Sequence, residues 1–77
     1  MEIDHDKIDE AVLALLHLTA FEDGPNIRAW KGHDWGALDR LHEKGFIANP
    51  RNKAKSVVLS PQGQQRAREL FQKMYGK

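Results

Sequence analysis

Apolar positions recur at helical spacing in three stretches of the chain, with short β-prone runs between them. In the first stretch Ile8, Val12, Leu15 or Leu16, and Thr19 fall on one side, which predicts a helix from about Asp6 to Ala20. Asp6 is the expected N-cap, and Asp9 and Glu10 put negative charge in the first turn, where it suits the helix dipole. Lys7 and His17 lie off the apolar stripe and are expected in solvent. The segment Phe21-Glu22-Asp23-Gly24-Pro25-Asn26 joins an Asp-Gly to a Gly-Pro step and predicts a loop. Ile27 to Lys31 fits a short strand or a single helical turn, and a pattern of this length does not choose between them.

Trp35, Leu38 and Leu41 or His42 restart the helical spacing, so a second helix is expected over 34–44 with Asp34 as its cap. Gly45 can take the left-handed conformation that ends a helix, and Lys44 suits the negative end of the dipole. Phe46-Ile47-Ala48 and Ser56-Val57-Val58-Leu59 read as the strands of an antiparallel hairpin, about 46–49 with 55–59, whose polar and basic tip is Asn49 to Lys55. Ser60-Pro61 is a cap followed by the residue type best tolerated at the first helical position. The third helix, over 61–75, carries Ala67, Leu70, Phe71 and Met74 on one face and Arg66, Arg68, Gln72 and Lys73 on the other. The sum is a mainly helical α+β fold: helix, short connector, helix, β-hairpin, C-terminal helix. A chain of 77 residues has room for one core, so residues 1–77 are expected to form a single domain.

Charge adds a division that the net value of +1 conceals. Residues 1–43 are net negative by six and residues 44–77 net positive by seven. Such asymmetry points to a polyanionic partner for the second half, or to two halves that pack together and neutralise each other. There is no cysteine, which excludes disulfides, a thiolate nucleophile and cysteine-ligated metal. His5, His17, His33 and His42 include no pair at i+3 or i+4 on one helix, so no metal site is expected. No Gly-rich phosphate loop or nucleophile elbow is present, nor a carboxylate pair with an obvious cleft to raise a pKa, and the chain is read as a non-enzyme with no catalytic residues and no cofactor. The N-terminus lacks the basic-then-apolar order of a signal peptide, and Ala11 to Leu16 is too short to cross a bilayer. A cytoplasmic protein without a membrane partner is expected.

Leu38-Asp39-Arg40-Leu41-His42-Glu43-Lys44-Gly45-Phe46-Ile47, followed by Val57-Val58-Leu59-Ser60-Pro61-Gln62-Gly63, resembles the second half of MarR/PadR-type winged-helix regulators over about residues 34–63. In those proteins a helix ending in Lys-Gly-aliphatic leads into the first wing strand, and the second strand ends in a Leu-Thr/Ser-x-x-Gly turn. The whole chain is also similar to a family of small uncharacterised bacterial proteins of like length. The resemblance implies a compact winged-helix-like domain that binds double-stranded DNA or is associated with transcription, and that dimerises through terminal helices.

The residues themselves qualify that picture. Only a short connector separates the first helix from Asp34, so a helix-turn-helix would be truncated, and the 34–44 helix holds Asp34, Asp39 and Glu43 against Arg40 and Lys44. The wing tip is better suited to phosphate, which makes Arg40, Lys44, Arg51, Asn52, Lys53 and Lys55 the candidate nucleic-acid contacts. Trp30 and Trp35 are expected to fill the core where a helix is missing, or else to form a platform for a partner. Leu70, Phe71, Met74 and Tyr75 form a C-terminal stripe that a symmetric homodimer would bury. The alternative function is a protein–protein interaction module on a truncated winged-helix scaffold, without DNA binding.

Overall fold

A computed structural model describes residues 1–77. Helix α1 runs from His5 to Leu18, strand β1 from Phe21 to Asp23, and β2 from Asn26 to Trp30. Helix α2 (Trp35–Glu43), strand β3 (Ser56–Leu59) and helix α3 (Pro61–Tyr75) complete the α+β fold.

Helix α1 is capped by Asp4 rather than the expected Asp6: the Lys7 amide donates to the Asp4 carboxylate at 3.2 Å. Its buried stripe keeps the expected Val12 and Leu16 but takes in Asp9 and Leu13 in place of Ile8 and Thr19. Asp9, Val12, Leu13 and Leu16 face inward, while Ile8 is 36% exposed and Thr19 lies in solvent. A carboxylate can occupy the end of an apolar stripe only with a partner in reach, and Asp9 has one on α2.

The segment from Phe21 to Asn26 is not an irregular loop. Gly24, with φ of +60°, and Pro25 turn the chain between β1 and β2, which pair antiparallel from Phe21↔Arg28 to Asp23↔Asn26. Ile27 to Lys31, left open by the sequence, is mostly strand. Strand β2 then pairs antiparallel with β3, from Ile27↔Leu59 to Trp30↔Ser56, giving the order β1-β2-β3. The expected 46–49/55–59 hairpin is correspondingly reduced. Ile47 makes an isolated bridge to Leu59, and the Ala48 amide donates to the Val58 carbonyl at 2.9 Å. Pro50 has no amide to carry the ladder further.

One core joins the elements. Leu13 and Leu16 of α1, Leu38 and Leu41 of α2, Ile47, Val57, Leu59 and Leu70 are all buried in it, and Ala29, Ala37 and Ala67 let backbones approach closely. The strand alternation sends Ala29, Val57 and Leu59 into this core, whereas Trp30 is 54% exposed. Trp35 is 47% exposed as well, so neither tryptophan fills the core.

The α2–α3 junction follows the sequence signals closely. Asp34 caps α2 through the Ala37 amide at 3.0 Å, and Gly45 at φ of +81° ends it. Ser60 caps α3 by accepting from the Gly63 amide at 2.9 Å, and its hydroxyl donates to the Gly45 carbonyl at 2.6 Å. Gly63 sits so close to the Phe46 carbonyl that a Cβ there would overlap it. No helix is long and apolar enough to cross a membrane.

Candidate nucleic-acid interface

The basic loop after α2 is built around a lysine that donates into it. Lys31, just past the end of β2, sends its ammonium to the Pro50 carbonyl at 2.7 Å, the Asn52 carbonyl at 3.0 Å and Asn52 Oδ1 at 3.0 Å. The Lys31 amide also donates to the Lys55 carbonyl at 3.2 Å, which continues the β2–β3 ladder into the loop. Pro50 is buried and anchors the near side. Asn49 Oδ1 accepts from the Arg51 amide, and Asn52 Oδ1 accepts from the Ala54 amide, each at 2.9 Å. Asn52 Nδ2 donates to the Asn49 carbonyl at 2.9 Å, so this expected ligand contact is engaged within the loop.

Around that frame lie an indole and several cations. The Trp35 ring has Lys31 Nζ at 5.7 Å and Arg51 Cζ at 5.5 Å from its centroid, within cation–π range. Arg51 forks onto Asp39 of α2, with Nη2 to Oδ2 at 2.6 Å and Nε to Oδ1 at 3.2 Å. Those hydrogen bonds, and the charge of Asp39, raise the Arg51 pKa. Lys53 and Lys55 are exposed, and their side chains have no hydrogen bond or ion pair. One strand over, the Trp30 ring lies 5.0 Å from that of Phe21, inclined by 34°. Arg28, beside them in the register, donates to Ser56 Oγ at 2.8 Å and to the Ser56 carbonyl at 3.2 Å.

Arg40 and Lys44 do not join this surface. Asp9 is buried, and its carboxylate accepts from Arg40 Nε and Nη2 at 2.8 to 3.0 Å. Lys44 lies 3.4 Å from both Asp9 and Asp6. Burial pushes the Asp9 pKa up. The hydrogen bonds and charge of Arg40, followed by those of Lys44, more than offset that and hold it below its ordinary value. Both cations thus fasten α2 to α1.

His42 Nδ1 lies 3.1 Å from the Ile47 carbonyl, which places an N–H on that nitrogen. His33 is half-buried, and burial lowers its pKa. No group of three or more His, Asp and Glu side chains is arranged to hold a metal ion.

The C-terminal stripe divides in two. Leu70, expected at a partner contact, is 2% exposed and belongs to the core because α3 turns it onto α1. Phe71 is half-buried between His17, with ring centroids 5.3 Å apart, and Tyr75 at 5.5 Å. Met74 and Tyr75 are 42% and 48% exposed.

Sequence reading missed two residues that shape the site, Lys31 and Asp9. Asp6 and Asp9 on one helix, and Arg40 and Lys44 on another, stand at i+3 and i+4 with opposite charge, a complementary pattern that points to α1–α2 docking. Lys31, between two tryptophans and followed by Gly32, has no comparable local signature.

The arrangement defines a small α+β domain with a braced basic loop beside two exposed indoles. The chain belongs to a family described as Domain of unknown function (DUF6429), which it matches over residues 4–77. It is 55% identical over 75 residues, 97% of each chain, to "Uncharacterized protein y4hR" of Sinorhizobium fredii (strain NBRC 101917 / NGR234). No solved structure matches it.

Proposed function

We propose that the chain is a small, non-enzymatic nucleic-acid-binding protein of winged-helix-like design that engages phosphate through its 49–55 loop. The observation that carries this reading is the pair Lys53 and Lys55, two exposed cations without an acidic partner on a loop fixed beside Trp35. Cations already joined to carboxylates gain less by meeting phosphate, so Arg40, Lys44 and, in part, Arg51 contribute less than composition alone suggests. The element order and the Gly45 and Ser60 turns support the winged-helix comparison, while the β1–β2 hairpin stands where a positioning helix is needed for a full helix-turn-helix.

Titration of a labelled oligonucleotide at low and moderate salt tests the reading. Arg51, Lys53 and Lys55 changed together to Ala abolish binding in this scheme without unfolding the protein. Single changes at Lys53 or Lys55 each lower the salt slope by roughly one unit or somewhat less. Equal binding by wild type and the triple variant, or no binding by either at low salt, rejects it. The second reading, a protein-interaction module, draws on Met74 and Tyr75, whose exposed surface a second copy of the chain would cover. Sedimentation at several concentrations tests that, and a protein monomeric at high micromolar concentration rejects it.

A further inference from the structure

A duplex and a single strand ask different things of a protein surface. Duplex DNA hides the faces of its bases and offers two rows of phosphates, so a helix entering a groove needs free cations along it. A single strand leaves base faces open to stack on aromatic rings, and a few cations suffice to follow its backbone. This molecule fits the second description. Helix α2 has no free Lys or Arg: Arg40 is held on Asp9, and Glu43 and the Asp39–Arg51 pair lie on its outer side. Lys44, just past its end, is held on Asp6 and Asp9.

The aromatic side of the argument is independent of these ion pairs. The two largest apolar side chains, Trp30 and Trp35, are each about half exposed, although burying them would stabilise so small a domain. They bracket the short connector from Lys31 to Asp34. Trp30 stands on the sheet face opposite the core with its ring beside that of Phe21. Its strand partner is Ser56, the first residue of β3 after the basic loop. Trp35 stands against Lys31 and Arg51. Both indoles therefore lie near the end of the β2–β3 ladder, where the basic loop joins the sheet.

We infer that this end takes single-stranded nucleic acid, with unpaired bases stacked on Trp35 and Trp30 and the backbone followed by Lys53, Lys55 and Arg51. The inference rests on the nucleic-acid reading above and narrows it to one class of ligand.

Intrinsic tryptophan fluorescence reads the proposed contact directly. The full chain is titrated at low salt with oligothymidylate of about a dozen nucleotides, oligouridylate of the same length, and a DNA duplex of that length. The expected result is saturable quenching by single strands, with affinity at least roughly ten-fold above that for the duplex. The two single strands separate DNA from RNA as the source. Trp35→Ala weakens single-strand binding by roughly 5- to 150-fold, the range of one lost stacking contact, and Trp35→Phe restores most of it. Circular dichroism confirms that the variants fold, as exposed positions allow. Duplex binding as tight as single-strand binding overturns the inference and leaves the nucleic-acid reading standing. Single-strand binding unchanged in both Trp35→Ala and Trp30→Ala overturns the stacking arrangement. No binding to any of the three overturns both readings.

Discussion

The carboxylate of Asp9, in the first half of α1, accepts three hydrogen bonds from the guanidinium of Arg40 on α2, at 3.0, 2.8 and 2.8 Å. Its side chain is 1% exposed and that of Arg40 31%, so the pair sits at the edge of the core with its anionic half fully covered. A buried carboxylate is tolerable only while its partner stays in place.

Asp9→Asn is therefore expected to destabilise the protein at neutral pH, since it leaves Arg40 without its counter-charge. Asp9→Leu combined with Arg40→Met recovers much of that loss, because two apolar groups need no partner. The pH dependence has a definite sign. The folded-state pKa of Asp9 is lowered, so its stabilisation is complete above the ordinary value of 3.8 and disappears as pH falls through the folded-state value. Denaturation of wild type and Asp9→Asn across this range checks it: the gap between them is widest near neutrality and narrows below pH 3.8.

Gly63→Ala separates helix propensity from packing. In an exposed helix the change stabilises by about 1 kcal/mol. Here the added methyl meets the Phe46 carbonyl, and a net loss of roughly 1–3 kcal/mol is expected as α3 is pushed from its seat. Chemical denaturation decides the sign, and a stabilised variant contradicts the close approach.

Leu41, 1% exposed, lies in the shared core on the inward face of α2. Leu41→Ala is expected to cost roughly 2–5 kcal/mol, the range for a large-to-small change in a packed core. A shift of the urea midpoint without a change of slope gives the measurement.

The exposure of both tryptophans predicts that acrylamide reaches each of them in the folded protein. Quenching of native Trp30→Phe and Trp35→Phe, each retaining one indole, is expected to approach that of the denatured chain. A strongly protected indole in either variant contradicts the structure.

Local chemistry made some elements legible and hid others. Asp34, Ser60-Pro61 and Gly45 mark their boundaries because a cap or a left-handed turn depends on neighbours in sequence. Strand β1 gave no such sign: Phe21-Glu22-Asp23 is too short to show a period, and its strand character comes from pairing with β2. Asp9 was hidden for the opposite reason. An acidic residue near a helix start already has a sufficient explanation in the dipole, and its true partner lies on another helix. At the candidate interface Lys53 and Lys55 were visible by charge alone. The inward turn of Arg40 and Lys44, and the outward turn of both tryptophans, depend on which faces of the elements meet.

Lys31 ties the 49–55 loop to the end of the central strand through three oxygen acceptors. A free loop samples many conformers, and ordering each residue costs about 1–2 kcal/mol in lost entropy. In this chain that loss is taken when the domain folds rather than when a ligand arrives. A partner at this end therefore meets a surface already shaped, and association carries little of the unfavourable entropy seen when recognition and folding are coupled.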